Sequence, residues 1–285
     1  MGLARSVLYL PASNPRAIEK ARTLPCDVAI LDLEDAVAPE LKSEARAAAV
    51  AAMQAGGFRA LLGVRINGVD TPWGAADLAA LRKCGAELVV APKIESGADV
   101  RAVIEHLAEG AALWAMVETP RALLALPDIA AAGRPLEALM LGVNDLATGL
   151  RTGASTDREP LKPWLAALVA AARAHGLLAI DGVMNRLDDT AALESECAQG
   201  RLYGFDGKSL IHPSQIDAAN AAFGPSPAEI ERARAIVGAF SAPEAQGLGA
   251  IRVDGQMVER LHLVAAERVL VDAQAISTQD RDGPI

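Results

Sequence analysis

The order of apolar runs along this chain predicts an α/β fold: a (β/α)8 TIM barrel over residues 1–225 with a C-terminal helical extension over residues 226–285. Three observations carry the prediction. Eight short apolar runs alternate with eight helical stretches, and strand–helix alternation builds right-handed parallel units. Eight such units, recurring at intervals of roughly 20 to 40 residues, are the number that closes a barrel. The signatures of an open doubly wound sheet fail. No Gly-x-Gly-x-x-Gly follows the first run, and Leu202 stands where a phosphate loop ending in Gly207-Lys208-Ser209 requires glycine.

Ser6–Leu10 is the first strand, closed by Pro11, and Asn14-Pro15 caps a helix that reaches about Thr23. Val28–Leu33 is the second strand and empties into Glu34-Asp35. Pro39 opens an alanine-rich helix to Gln54, ended by Gly56-Gly57. Leu61–Ile66 is the third strand, with Arg65 near its end. A helix over Trp73–Cys84 leads to the fourth strand, Glu87–Ala91, which delivers Lys93. After a helix over Gly97–His106, Ala112–Val117 reads as a strand buried on both faces, and Glu118 follows it just before Pro120. A helix over Arg121–Ala132 leads to the sixth strand, Leu139–Asp145, again with an acid at its carboxyl end.

Residues 146–160 form a long polar connection, a length often given over to function. A helix over Lys162–His175 precedes the seventh strand, Leu177–Ile180, which runs into Asp181. After a helix over Asp188–Gln199, Leu202–Phe205 is the eighth strand, running into Asp206 and Lys208, and Pro213 opens the last barrel helix. Pro225 and Pro227 mark a boundary. Beyond it lie an amphipathic helix to Phe240, a linker over Ser241–Gly249, a short strand and turn at Ile251–Met257, and a helix over Val258–Ala275. This tail is too small to bury a core of its own, so it is expected to pack on the barrel or on a neighbouring subunit. Ser277–Ile285 is polar and is expected to be mobile.

Composition excludes several classes of function. Apolar residues make up 52% of the chain but aromatics only 3%, so the core is aliphatic. A net charge of −9 gives no basic footprint and argues against nucleic acid. Cys26, Cys84 and Cys197 form no Cys-x-x-Cys pair, which points to a reducing compartment and away from structural zinc. No apolar run approaches the ~20 residues of a membrane span, and no signal segment leads the chain. A soluble, cytoplasmic protein is the expectation.

Catalytic groups of such a barrel come from the carboxyl ends of its strands. Here those ends supply Glu34, Asp35, Arg65, Lys93, Glu118, Asp145, Asp181, Asp206 and Lys208. Glu118 and Asp145 suit a hard cation such as Mg2+, which takes one or two carboxylates and completes its shell with waters and substrate oxygens. The alternative is a carboxylate pair that shares a proton or pairs with Lys93. Arg65 offers a planar fork to a substrate carboxylate, or else a structural ion pair to Glu34 or Asp35. Asp181, Asp206 and Lys208 could pair across the rim. Arg5, Arg16 and Lys20 cluster around the first strand and helix, where they meet phosphates or form a solvated face. His106 and His175 lie near helix ends, His212 at a turn and His262 on the tail helix, so the four histidines do not form a ligand set.

Seven segments together resemble the citrate lyase beta subunit family of the HpcH/HpaI aldolase group. They are Arg5-Ser-Val-Leu-Tyr-Leu-Pro, Leu31-Asp-Leu-Glu-Asp-Ala-Val, Val64-Arg-Ile-Asn, Pro92-Lys-Ile-Glu, Val117-Glu-Thr, Gly142-Val-Asn-Asp-Leu and Gly204-Phe-Asp-Gly-Lys-Ser-Leu-Ile-His-Pro, in that order. The resemblance implies a Mg2+-dependent lyase that cleaves or forms a C–C bond in a 3-hydroxyacyl-CoA thioester of the citryl, malyl or citramalyl type. It implies Glu118 and Asp145 as metal ligands, Arg65 and Glu118 against the oxoacid, and Glu34 and Asp35 as an acidic pair beside the metal; with such a substrate, the phosphates that Arg16 and Lys20 could meet are those of CoA. It also implies a homo-oligomer, trimer or hexamer, in which a tail acid reaches a neighbour's site as a catalytic group. Glu259 stands there in place of the usual Asp, and Leu261 in place of the usual Pro. The helix at Lys162–Leu168 lacks the family's arginine-containing pattern. The same resemblance admits a malyl-CoA thioesterase, a malate synthase-like enzyme or a citrate lyase subunit acting on an acyl-carrier protein; a non-catalytic ligand-binding barrel is a further reading.

Overall fold

A computed structural model describes residues 2–153, 155, 157–242, 245 and 247–281. By its contacts the chain divides into two compact units, one spanning Leu3–Phe223 and a second from Gly224 onward.

The first unit is a closed barrel of eight parallel strands in sequence order. Its strands are β1 (Ser6–Pro11), β2 (Val28–Asp32), β3 (Leu61–Arg65), β4 (Leu88–Ala91), β5 (Ala112–Val117), β6 (Leu136–Leu141), β7 (Leu178–Asp181) and β8 (Gly207–Leu210). Its helices are α1 (Pro15–Ala21), α2 (Lys42–Ala55), α3 (Gly74–Cys84), α4 (Gly97–Ile104), α5 (Pro120–Leu124), α6 (Leu126–Ala130), α7 (Val143–Leu150), α8 (Lys162–Ala174), α9 (Thr190–Tyr203) and α10 (Ile216–Phe223). Successive side chains of a strand point to opposite faces, and this sorts the core into two layers. Val28 and Ile30 of β2, with Val90, Trp114, Met116, Met140 and Ile180, fill the lumen. Ala29 and Leu31, with Leu8, Val64, Val89 and Leu139, pack outward against the helices. The barrel closes where β8 pairs with β1, Ser6 opposite Lys208 and Leu8 opposite Leu210. Only glycine fits at that seam, because a Cβ on Gly207 would lie 1.7 Å from the Ala4 carbonyl oxygen.

Four elements differ from the expectation. The eighth strand is Gly207–Leu210, and Leu202 is the 84%-exposed last turn of α9. Gly204 ends that helix at φ +95, and the strand that follows looks polar yet is buried because its lysine is fully partnered. The sixth strand stops at Leu141, and α7 begins at once, so Asp145 lies in a first helical turn and not on a strand. The long connection is correspondingly shorter, although residues 154 and 156 lie outside the described set. The single helix expected over Arg121–Ala132 is two short pieces, α5 and α6, the second with Pro127 in its first turn.

The second unit contains α11 (Pro227–Ser241), a two-stranded antiparallel hairpin of β9 (Ala250–Val253) and β10 (Gln256–Glu259), and α12 (Arg260–Arg281). Asp254 and Gly255 both take positive φ, +47° and +80°, the backbone of a tight hairpin turn for which Asp-Gly is a favoured pair. Val258 and Glu259 therefore belong to a strand, and the helix runs on to Arg281 through residues expected to be mobile. Residues 282–285 lie outside the described set, as do positions 243, 244 and 246 of the expected linker. Val253, Val258, Ala233, Ile236 and Ala266 form a small core of this unit's own.

Candidate active site

Asp32 is the centre of the arginine side of the site. It is the last residue of β2, opposite Arg65 in the β2–β3 register, and 1% exposed. Its carboxylate accepts from Arg65 Nε at 2.7 Å and Nη2 at 2.6 Å, a fork-to-fork pair. The same two oxygens accept from the backbone amides of Glu34 at 2.9 Å and Ala36 at 3.1 Å, which shapes the loop carrying the acidic pair. Arg65 also stacks over the Tyr9 ring at 4.9 Å. Although burial opposes its charge, the hydrogen bonds to Asp32 hold Arg65 above its ordinary value.

Neither sequence reading of Arg65 named this partner. Glu34 and Asp35 are present, at 3.0 Å and 3.6 Å from Nη1, but the two-point partner is Asp32. The signal was an acid inside the otherwise apolar run Val28–Leu33. With Nε and one Nη2 hydrogen committed to Asp32, the guanidinium presents its Nη1 edge, already facing acids. Burial pushes the Glu34 carboxyl up from its ordinary 4.5 to about 8, partly offset by Arg65. Its Oε2 is buried and, despite its distance from Arg65, is not aligned for a hydrogen bond.

Glu118 follows β5 and is 1% exposed. Its Oε1 accepts from the Lys93 amide at 2.7 Å, while its Oε2 is buried without a hydrogen-bond partner. Burial raises its pKa against the charge of Lys93. The close approach of the next strand depends on Gly142, whose Cβ would lie 2.4 Å from Glu118 Cβ and 2.6 Å from its Oε2. Asp145, one turn further on, is half-exposed and pairs with Lys93 Nζ at 2.8 Å, and the same ammonium lies 3.4 Å from Glu118 Oε1. The pairing with Lys93 raised as the alternative for these two acids is thus present.

A cavity of about 350 Å³ brings these groups together, lined among others by Tyr9, Asp32, Arg65, Met116, Glu118 and Asp145. Among the described residues no cluster of three or more His, Cys, Asp or Glu forms a ligand set, so a protein-only cage of the zinc type does not fit. A pair of carboxylates with one buried, unpartnered oxygen does fit Mg2+, which keeps waters and substrate oxygens in most of its positions.

Other candidates fall elsewhere. Asp181 and Lys208 do pair, at 3.1 Å, but within a buried network with Glu196 and Arg158. Arg158 sits at φ +58 in the long connection, and sequence reasoning passed over it. Asp206 precedes β8 and pairs with Arg173 instead. Arg5 is buried against Asp27 through three hydrogen bonds, so it is a structural residue at the start of β1. Arg16 and Lys20 are exposed on α1. Glu259 ends β10 in the second unit, its amide donating to His262 Nδ1 at 3.0 Å. Burial pushes the Cys26 and Cys197 thiols up to about 12 and about 11, which removes them as nucleophiles.

The chain is similar to known proteins over most of its length. The HpcH/HpaI aldolase/citrate lyase family model matches residues 5–213. A (3S)-malyl-CoA thioesterase of Cereibacter sphaeroides is 46% identical over 275 residues, covering 96% of this chain and 95% of the relative. An L-malyl-CoA/beta-methylmalyl-CoA lyase of the same species is 34% identical over 304 residues, covering 96% and 95%. Among solved structures, CitE from Mycobacterium tuberculosis in complex with magnesium, acetoacetate and coenzyme A superposes with a TM-score of 0.78 at 33% identity, covering 94% of this chain and 97% of that one. Among the described residues no helix is long and apolar enough to cross a membrane.

Proposed function

Because the chain belongs to the HpcH/HpaI aldolase/citrate lyase family, we propose that it is a Mg2+-dependent enzyme that cleaves a malyl-type 3-hydroxyacyl-CoA thioester. The observation that carries the reading is the buried, unpartnered Oε2 of Glu118 on the cavity that also holds Asp145 and Arg65. Glu118 and Asp145 would hold the ion. When bound, Mg2+ supplies a Lewis acid and a template for substrate oxygens. Arg65 receives the substrate carboxylate on its Nη1 edge, held in plane by Asp32 and by the Tyr9 ring, so the acid is oriented before reaction. Glu34 and Asp35 yield that edge to the incoming anion, and the high pKa of Glu34 makes it a proton holder near neutral pH. Arg16 and Lys20 are the proposed contacts of the CoA phosphates, and Glu259 of a second copy the proposed partner in proton transfer.

Similarity at 46% identity to (3S)-malyl-CoA thioesterases favours hydrolysis: water oxygen bonds to the thioester carbonyl carbon, the C–S bond breaks, and sulfur takes a proton. The lyase reading draws on the 34% relative. There the hydroxyl loses its proton, the C–C bond breaks, and the thioester enolate is protonated at carbon. Incubation with malyl-CoA and Mg2+, followed by mass spectrometry, separates the two. Malate with free CoA is the expected product pair; glyoxylate with acetyl-CoA marks the lyase. Turnover that survives EDTA or Glu118→Ala overturns the metal-dependent reading altogether.

A further inference from the structure

Lys93 lies just past the end of β4 with its backbone at φ +53, a left-handed conformation that residues bearing a Cβ rarely adopt. Such strain persists only where the surroundings over-determine it. Here one residue holds the two candidate metal ligands at once. Its amide donates to Glu118 Oε1 at 2.7 Å. Its ammonium lies 2.8 Å from Asp145 Oδ1 and 3.4 Å from Glu118 Oε1. The positive charge of Lys93 thus bridges the same pair of acids that a divalent ion would bridge.

We propose that Lys93 is a built-in counter-ion of the metal site: its ammonium holds Glu118 and Asp145 together in the metal-free protein and is displaced from them when Mg2+ enters. The inference rests on the Mg2+ reading above. An ion that uses both carboxylates shares oxygens with the ammonium or drives it off, and two like charges a few ångströms apart repel. Lys93 therefore weakens metal binding while stabilising the metal-free site. The freed ammonium is then available to an anionic substrate, so a bound carboxylate and the metal favour one another reciprocally. A lysine that merely positions Glu118 for the metal has the opposite sign: its loss weakens metal binding.

The test is calorimetric titration of Mg2+ into wild type, Lys93→Gln and Lys93→Arg without substrate, with thermal melts in EDTA alongside. Lys93→Met replaces Lys93→Gln if the amide disturbs folding. Loss of the charge is expected to tighten Mg2+ binding about tenfold, the order of effect of one removed like charge, and to lower the melting midpoint in EDTA. Lys93→Arg is expected to stay close to wild type in both. Equal or weaker binding by Lys93→Gln overturns the counter-ion role and leaves the Mg2+ reading standing. No Mg2+ binding by any of the proteins overturns both.

Discussion

Replacing Asp32 by Asn tests whether the β2 acid is what makes Arg65 usable. The substitution keeps shape but removes the charge that accepts two guanidinium hydrogen bonds at 2.7 Å and 2.6 Å. Breaking one side of a buried ion pair costs about 3–5 kcal/mol, because the remaining charge stays buried. Arg65 keeps Glu34 at 3.0 Å and the Tyr9 ring at 4.9 Å, so the lower end, about 3 kcal/mol, is expected. For a unit of this size that is a fall in melting midpoint of about 6–12 °C. The assay is differential scanning calorimetry in EDTA, with Asp35→Asn as control. Asp35 is 65% exposed and 3.6 Å from Arg65, an exposed pair worth about 0–1 kcal/mol. A midpoint for Asp32→Asn indistinguishable from that of Asp35→Asn would refute the reasoning.

Other expected outcomes follow from the same geometry. Glu34 binds a proton more tightly folded than unfolded, its pKa rising from 4.5 to about 8. The folded state therefore loses stability as pH climbs through that window, by at most about 1.4 kcal/mol per unit. Glu34→Gln should flatten the decline in urea unfolding measured in EDTA from pH 5 to pH 8, and an unchanged slope would contradict the assignment. Gly142→Ala forces a Cβ to within 2.6 Å of Glu118 Oε2. It should lower Mg2+-dependent turnover about a hundredfold through a misplaced carboxylate, with overpacking of about 1–3 kcal/mol seen in a thermal melt. Lys208→Met leaves Asp181 and Glu196 without their shared buried ammonium. A loss of about 3 kcal/mol in urea unfolding is expected, and a neutral result would mean that Arg158 suffices alone.

The barrel is legible in the sequence because each unit repeats the same local physics. A strand buried on both faces reads as an unbroken apolar run, and the helices between announce themselves by proline entries and glycine exits. Asn14-Pro15 and the Glu118 strand are examples. Glu118 and Arg65 were legible for a related reason: a charge at the end of such a run has nowhere to go but the rim. The reading failed where burial depends on a partner far away in the chain. Gly207–Leu210 carries a lysine and falls just past the run that reads as the eighth strand, yet Asp181 and Glu196 neutralise that lysine and the segment is itself the core strand. Leu202–Phe205 looked like a strand, yet it straddles the end of a helix.

The candidate site divides along the same line. Order along the chain is enough to bring Arg65, Glu118 and Asp145 to the cavity, but it misses Asp32 and Tyr9, which line it too, and it offers Asp181, Asp206 and Lys208, which do not. Which residue holds which is a matter of distance between strands, and no periodicity encodes that. Asp32 takes the fork of Arg65 because β2 and β3 lie side by side with those two residues opposite. Lys93 reaches Asp145 because its backbone turns left-handed beyond β4 while Asp145 rides one helical turn past Gly142. Buried charges are settled by their nearest opposite neighbours, and those neighbours are set by how the strands pack.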